Sequence, residues 1–157
     1  MNKEINWAYI AGFLDGDGSL MLQIKKRSDS EIGIRFMTTI CFYQDTRHEQ
    51  SLHWIKEVLG IGYISKRNDG MTELRVQGYK QVRDILTNLL PYIRFKKIQS
   101  LALKNACEIL IATKFKMLTK SQLKKLVNYI LAIQNENYVT KKKKTRSELH
   151  SLLGLTP

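Results

Sequence analysis

Ile10-Ala11-Gly12-Phe13-Leu14-Asp15-Gly16-Asp17-Gly18-Ser19 is the stretch around which the chain is organised. Its first half predicts a helix over residues 7–16 with one face of small residues. Ala8, Gly12 and Gly16 recur every four positions and so stack on one side. Small residues at that spacing let two helix backbones approach closely. Each Gly costs a helix interior about 1 kcal/mol relative to Ala, so a helix carrying two of them needs a packing reason. The second half sets Asp15 and Asp17 at the helix C-terminus, where the dipole is already negative. A bound cation is one way to relieve that conflict.

The small-residue face asks for a partner helix, and a second copy of the chain is the simplest one. Two-fold pairing of identical helices would bring both copies of Asp17 together, and two carboxylates at two helix C-termini repel without divalent cations. Oxygen-ligated Mg²⁺ is the ion that carboxylates plus phosphate oxygens select. The alternatives are weaker. An isolated Asp-Gly is usually a turn, and a calcium loop starting at Asp15 would need a glutamate where Lys26 stands.

Composition narrows the partner. The 157 residues include 26 Lys and Arg against 14 Asp and Glu, a formal net charge of +12. With 43% hydrophobic residues the chain can bury a core, so the imbalance decorates a folded surface and points to a polyanion. Nucleic acid leads and an anionic membrane surface comes second. No apolar run reaches the about 18 residues that span a bilayer, and the first residues show no apolar signal core. Cys41 and Cys107 sit in apolar segments without metal-ligand spacing and read as reduced thiols of an intracellular protein.

Along the chain, Leu20, Leu22 and Ile24 alternate with Met21, Gln23 and Lys25, which predicts a strand with one buried face. After the polar residues 27–31 the alternation resumes, with Ile34, Phe36, Thr38, Ile40 and Phe42 inward and Arg35, Met37, Thr39, Cys41 and Tyr43 outward. Thr46-Arg-His-Glu49 has the pattern of a capping box for a second helix, which Gly60 ends. A second hairpin turns at Asn68-Asp69-Gly70. A third helix follows over residues 79–90 and closes at Pro91. The order helix, hairpin, helix, hairpin, helix predicts an α+β domain with a four-stranded antiparallel sheet and helices on one face. A long helix to about residue 113 and another opened by Thr119-Lys-Ser-Gln122 finish the core. The expected organisation is one domain, with the core in 1–95, packing helices in 96–135 and a basic tail with a short helix in 136–157.

The open sheet face would present Gln23, Lys25, Arg27, Arg35, Met37, Thr39, Cys41, Tyr43, Ser65, Arg67, Glu73, Arg75 and Gln77. A set rich in Arg, Lys, Gln and Thr has the hydrogen-bonding inventory that reads base edges in a major groove, although a plain solvated face would look similar. The lysines at 141–144 precede a third capping box, Thr145-Arg-Ser-Glu148. Such a run is either a solvated linker or a phosphate clamp that includes Lys144 and Thr145.

Residues 10–19 resemble the LAGLIDADG motif, in the variant of homing endonucleases that carry one copy per chain. The likeness extends through the element order, Gly60-Ile-Gly62-Tyr63, and the segment from Leu90-Pro91 to Lys97-Ile98-Gln99. It implies the αββαββα fold with a saddle-shaped sheet, and a homodimer through the motif helix at Ala8, Ala11, Gly12, Asp15 and Gly16. It also implies site-specific cleavage of double-stranded DNA at a long pseudo-palindromic target. In that family the second acid of the motif binds metal, which falls on Asp17 with the adjacent Gly16, whereas Asp15 is more structural. A polar residue after the second strand matches Gln44, and a lysine after the third helix matches Lys96 by its distance past Leu90-Pro91. A basic residue four positions after the glutamine is common, and here His48 stands there, which orders water less reliably than Arg. The resemblance implies water held by Gln44 and Lys96, charge stabilised by Mg²⁺ at Asp17, and short 3′ overhangs. Mn²⁺ is expected to substitute, and Ca²⁺ to support binding without cleavage. Intron RNA is a further partner to test, since a catalytically silent maturase or regulator on the same fold is the runner-up. A ribosome-associated RNA-binding protein would explain the charge but not the motif helix. The Lys-, Ile- and Asn-rich composition fits the AT-rich coding DNA of an organelle, a bacterium or a phage.

Overall fold

The structure, a computed structural model, describes residues 2–138 and 140–155. The first helix, α1 (Lys3–Asp17), reaches back beyond residue 7 because Asn2 caps it: the Asn2 side-chain oxygen accepts the Glu4 N–H at 3.0 Å. Strand β1 (Gly18–Lys26) follows without a loop. A Cβ at Gly18 would fall 2.5 Å from Leu14 Cδ1 and 2.8 Å from the Leu14 carbonyl oxygen. Only glycine lets the strand leave so close to the last helical turn.

β1 pairs antiparallel with β2 (Ile34–Asp45), from Gly18 opposite Phe42 to Lys26 opposite Ile34. The loop between them closes where Arg27 N–H donates to the Gly33 carbonyl at 2.8 Å. β3 (Tyr63–Lys66) and β4 (Met71–Gln77) form the second hairpin, and Gly70 there takes a φ of 81°, which favours glycine. The sheet order is β1-β2-β4-β3, antiparallel throughout, so β2 and β4 are interior.

Helices α2 (Gln50–Leu59) and α3 (Tyr79–Leu89) join α1 on one face of this sheet. The inward strand residues Leu20, Leu22, Phe36, Ile40, Phe42, Leu74 and Val76 meet Ile10, Leu14, Leu52, Ile55, Val82 and Leu86, all buried. Each such side chain contributes about 1.5–3 kcal/mol by leaving water. Beyond α3, α4 (Lys97–Ala112) and α5 (Lys120–Glu136) pack on each other and on β1. α6 (Arg146–Leu152) docks on α5 through Leu149.

The capping boxes at Thr119 and Thr145 form as the sequence predicts. The one at Thr46 does not. Thr46–His48 is a single 3₁₀ turn capped by Asp45, whose carboxylate accepts the Arg47 N–H at 2.9 Å. Both members of the expected box turn to β4 instead: Thr46 Oγ1 lies 2.9 Å from Thr72 Oγ1, and Thr72 Oγ1 donates to Glu49 Oε2 at 2.9 Å. Among the described residues no helix is long and apolar enough to cross a membrane.

The helix-to-strand junction generates a test. Gly18→Ala should lower stability by about 1–3 kcal/mol through the forced backbone shift, read as a reduced urea midpoint with an unchanged slope.

Candidate functional site

The two acids of the motif have separate fates. Asp15 turns inward and is 9% exposed. Its Oδ2 accepts the Arg94 N–H at 2.7 Å and its Oδ1 the Lys96 N–H at 3.0 Å, while Lys96 Nζ donates to the Asp15 carbonyl oxygen at 2.6 Å. The end of α1 is thereby stapled to the segment that leads into α4. Lys96 is half-buried, which lowers its pKa from the ordinary lysine value, and the charges of Asp15 and Asp17 oppose that shift. Asp17, the last residue of α1, is exposed, and none of the ion pairs among the described residues uses it.

Asp17 and Lys96 line one cleft of about 490 Å³. Its other walls include Gly16, Tyr43, Arg67, Met71 and Asn137. Ser19 Oγ and Tyr43 Oη bond at 2.9 Å across the first two strands, and burial pushes the Tyr43 phenol up to about 12. Gln44 and His48 are not on that wall. The Gln44 Oε1 is occupied by the Asp45 N–H at 2.9 Å, and His48 is exposed on the 3₁₀ turn. Arg67, read from sequence as a groove contact, lines the same cleft as Asp17 and pairs with Asp69 at 2.8 Å. The register explains it: Arg67 N–H bonds the Met71 carbonyl at 2.8 Å, which closes the second hairpin over the end of the sheet nearest α1. Asn137 escaped the sequence reading, and only its place at the end of α5 brings it to the cleft.

On the open face, Lys25, Arg27, Arg35 and Gln77 are exposed and Gln23, Met37, Tyr43 and Ser65 partly so. Thr39 and Cys41 point outward yet are fully buried, which corrects their placement among groove contacts. Both lie on the interior strand β2, flanked by Met21 and Gln77 or by Ser19 and Arg75. Burial also pushes the Cys41 thiol up to about 11 and keeps it neutral. Glu73 is buried as well, with its Oε1 accepting Arg75 Nε–H at 2.7 Å. Gln134 grips the basic tail, because its amide both donates to the Lys144 carbonyl at 3.0 Å and accepts the Lys144 N–H at 3.2 Å. Thr145 Oγ1 caps α6.

The outer face of α1 is open. Ala8, Gly12 and Gly16 are exposed, and a Cβ at either glycine would meet nothing within 4 Å. Beside them Ile5 and Tyr9 are exposed, with Tyr9 packed edge-on to Trp54 at 5.2 Å. Ala11 faces the protomer core and Asp15 is consumed by the α4 segment, so neither has surface left for a partner helix.

The family model for LAGLIDADG endonuclease matches residues 10–110. The chain belongs to that family. DNA endonuclease I-CvuI of Chlorella vulgaris is 34% identical over 99 residues, covering 63% of this chain and 62% of I-CvuI. DNA endonuclease I-CreI of Chlamydomonas reinhardtii is 30% identical over 99 residues, covering 63% of this chain and 60% of I-CreI. The matched stretch thus spans less than two thirds of either relative. In three dimensions the chain is similar to I-CvuI bound to the I-CreI target with magnesium and uncleaved DNA. That match has a TM-score of 0.76 at 28% identity and covers 99% of this chain and 98% of that one.

As a LAGLIDADG chain, one copy offers a hard cation only part of a shell. Asp17 provides an exposed carboxylate beside the carbonyls of a helix C-terminus, all of them oxygens suited to Mg²⁺. Among the described residues no three His, Cys, Asp or Glu side chains converge to hold a metal. The donor set therefore fits Mg²⁺ if further oxygens come from outside the protomer.

Asp15→Asn keeps the shape but removes the charge and leaves a backbone N–H without its acceptor. It should cost about 1–3 kcal/mol in chemical denaturation, and more than Asp17→Asn measured alongside.

Proposed function

We propose that this protein is a site-specific endonuclease of double-stranded DNA that works as a homodimer through the outer face of α1. The observation that carries the reading is the exposed, unpaired carboxylate of Asp17 beside Lys96 and Arg67, at the end of a basic open sheet face and next to an unfilled small-residue helix face. Two-fold packing across Ala8, Gly12 and Gly16 brings the second Asp17 to the first. The names of I-CvuI and I-CreI as DNA endonucleases support the same activity here.

In this reading Asp17 and the Gly16 carbonyl, from both copies, would hold Mg²⁺. A bound divalent ion supplies positive charge at the scissile phosphate and acidifies nearby water. Lys96 Nζ, fixed by the Asp15 carbonyl, and Arg67 offset the charge that grows on the phosphate oxygens as water attacks phosphorus and the 3′ oxygen leaves. Gln44 and His48, which stand off the cleft wall, enter this reading only through the family resemblance. No side chain serves as general base, and the proton passes to solvent. One cut per strand leaves short 3′ overhangs. Lys25, Arg27, Arg35, Gln77 and the tail at Lys144 and Thr145 hold the duplex.

Wild type and Asp17→Asn, each incubated with a randomised duplex library in Mg²⁺ and separately in Ca²⁺, decide the matter. Staggered breaks by wild type in Mg²⁺ alone, with selective binding but no breaks by Asp17→Asn, are expected. Equal binding by both with no cleavage in any condition would replace the enzyme with a binding module.

A further inference from the structure

The open face is meant for a polyanion, yet it holds a buried carboxylate. The Glu73 side chain is 10% exposed and that of Arg75 30%. Their bond uses Arg75 Nε, and among the described residues no other hydrogen bond or ion pair engages this guanidinium. In register, Arg75 lies between Cys41 on β2 and Tyr63 on β3, while Glu73 lies between Tyr43 and Ser65. None of those four neighbours carries a charge that competes for the guanidinium. The Nη1 and Nη2 fork, two parallel donors, is therefore held in one orientation on the open face.

We propose that Arg75 reads a guanine at one base pair in each half of the DNA target and that Glu73 is the positioning residue that aims it. This rests on the DNA-cleavage reading above and deepens it to a base. Electrostatics decides between base and backbone. A phosphate contact would set an anionic oxygen close to the Glu73 carboxylate, and like charges at such distances repel. The edge of guanine is neutral and offers two acceptors side by side, O6 and N7, which match the fork. Adenine pairs its N7 with a donor, cytosine presents a donor, and thymine offers a single acceptor beside a methyl group. A guanidinium tied at Nε gives up rotamers before binding, so less entropy is lost on contact. The same tie raises the Arg75 pKa and keeps the fork fully protonated.

The test is base selection in Ca²⁺, by binding of a duplex library to wild type, Arg75→Lys and Glu73→Gln, with thermal melting of each protein alongside. Wild type should select guanine at one position per half-site. Arg75→Lys, which keeps the charge and loses the fork, should shrink the affinity ratio of guanine over the other bases at that position by roughly ten-fold or more. Glu73→Gln should relax the same position and no other, at a melting temperature that still leaves the protein folded. If Glu73→Gln changes selection at a different base pair, Glu73 reads a base itself and the positioning role is wrong. Unchanged selection in Arg75→Lys, or a uniform loss across all targets, makes Arg75 a phosphate contact. Wild type that binds no duplex overturns the DNA reading as a whole, whereas selective wild-type binding that neither variant alters overturns only this inference.

Discussion

Asp15 takes a negative charge out of water at the end of a helix whose C-terminus is already electronegative. That would be prohibitive alone. Two backbone N–H groups and one ammonium repair it, all from the segment that enters α4. Charge-assisted bonds of this kind are each worth about 1.5–3 kcal/mol, more than any exposed ion pair on this chain. The repair has a geometric consequence. By holding Lys96 against the last turn of α1, Asp15 sets an ammonium beside Asp17 two residues on. Because Gly18 starts β1 with no intervening loop, the same contact fixes where the sheet begins. The acid that faces inward thus places the acid that faces outward.

Four of the seven ion pairs among the described residues share one spacing. Arg27 with Asp29, Asp45 with Arg47, Arg67 with Asp69 and Glu73 with Arg75 are all pairs two residues apart. Three of these pairs are solvent-exposed and contribute little to stability, even where Arg47 pulls the Asp45 carboxyl down to about 2. Their effect is local: each neutralises a carboxylate that would otherwise oppose a polyanion on a surface of net charge +12. Asp17 stands outside the pattern. None of the ion pairs among the described residues uses its carboxylate.

Most of the fold was legible because hydrophobic alternation and caps are local signals. The strand faces, the turn at Gly70 and the boxes at Thr119 and Thr145 needed no knowledge of distant residues. The box at Thr46 failed because Thr72, 26 residues on, offered its hydroxyl to Thr46 and Glu49 alike. Alternation also tells which face a residue takes, but not how deep it lies. Thr39 and Cys41 were placed on the right face and are nevertheless buried, since β2 has a neighbour on each side. In the site, Asp17 and Lys96 were readable from the motif and the spacing past Leu90-Pro91. Arg67 was read as a groove contact, and sheet register carries it to the Asp17 cleft as well. Gln44 and His48 follow in sequence from the cleft-lining Tyr43, and that proximity along the chain does not put them on its wall.

Gly12 and Gly16 raise the energy of a lone protomer. Each weakens α1 by about 1 kcal/mol, and no atom of the described residues comes near enough to exploit the missing side chain. Trp54 and Tyr9 extend the same unfilled surface with aromatic area. At the end of that surface the single Asp17 presents too few oxygens for a metal. Three deficits (a weakened helix, an uncovered apolar strip and a partial coordination shell) lie along one line on one side of the molecule. The proposed two-fold partner would answer all three with one contact, since the glycines that let the helices touch would also set the distance between the two carboxylates. In the proposed dimer, the sequence cost that destabilises the protomer is what builds the metal site, and catalysis and assembly become the same equilibrium.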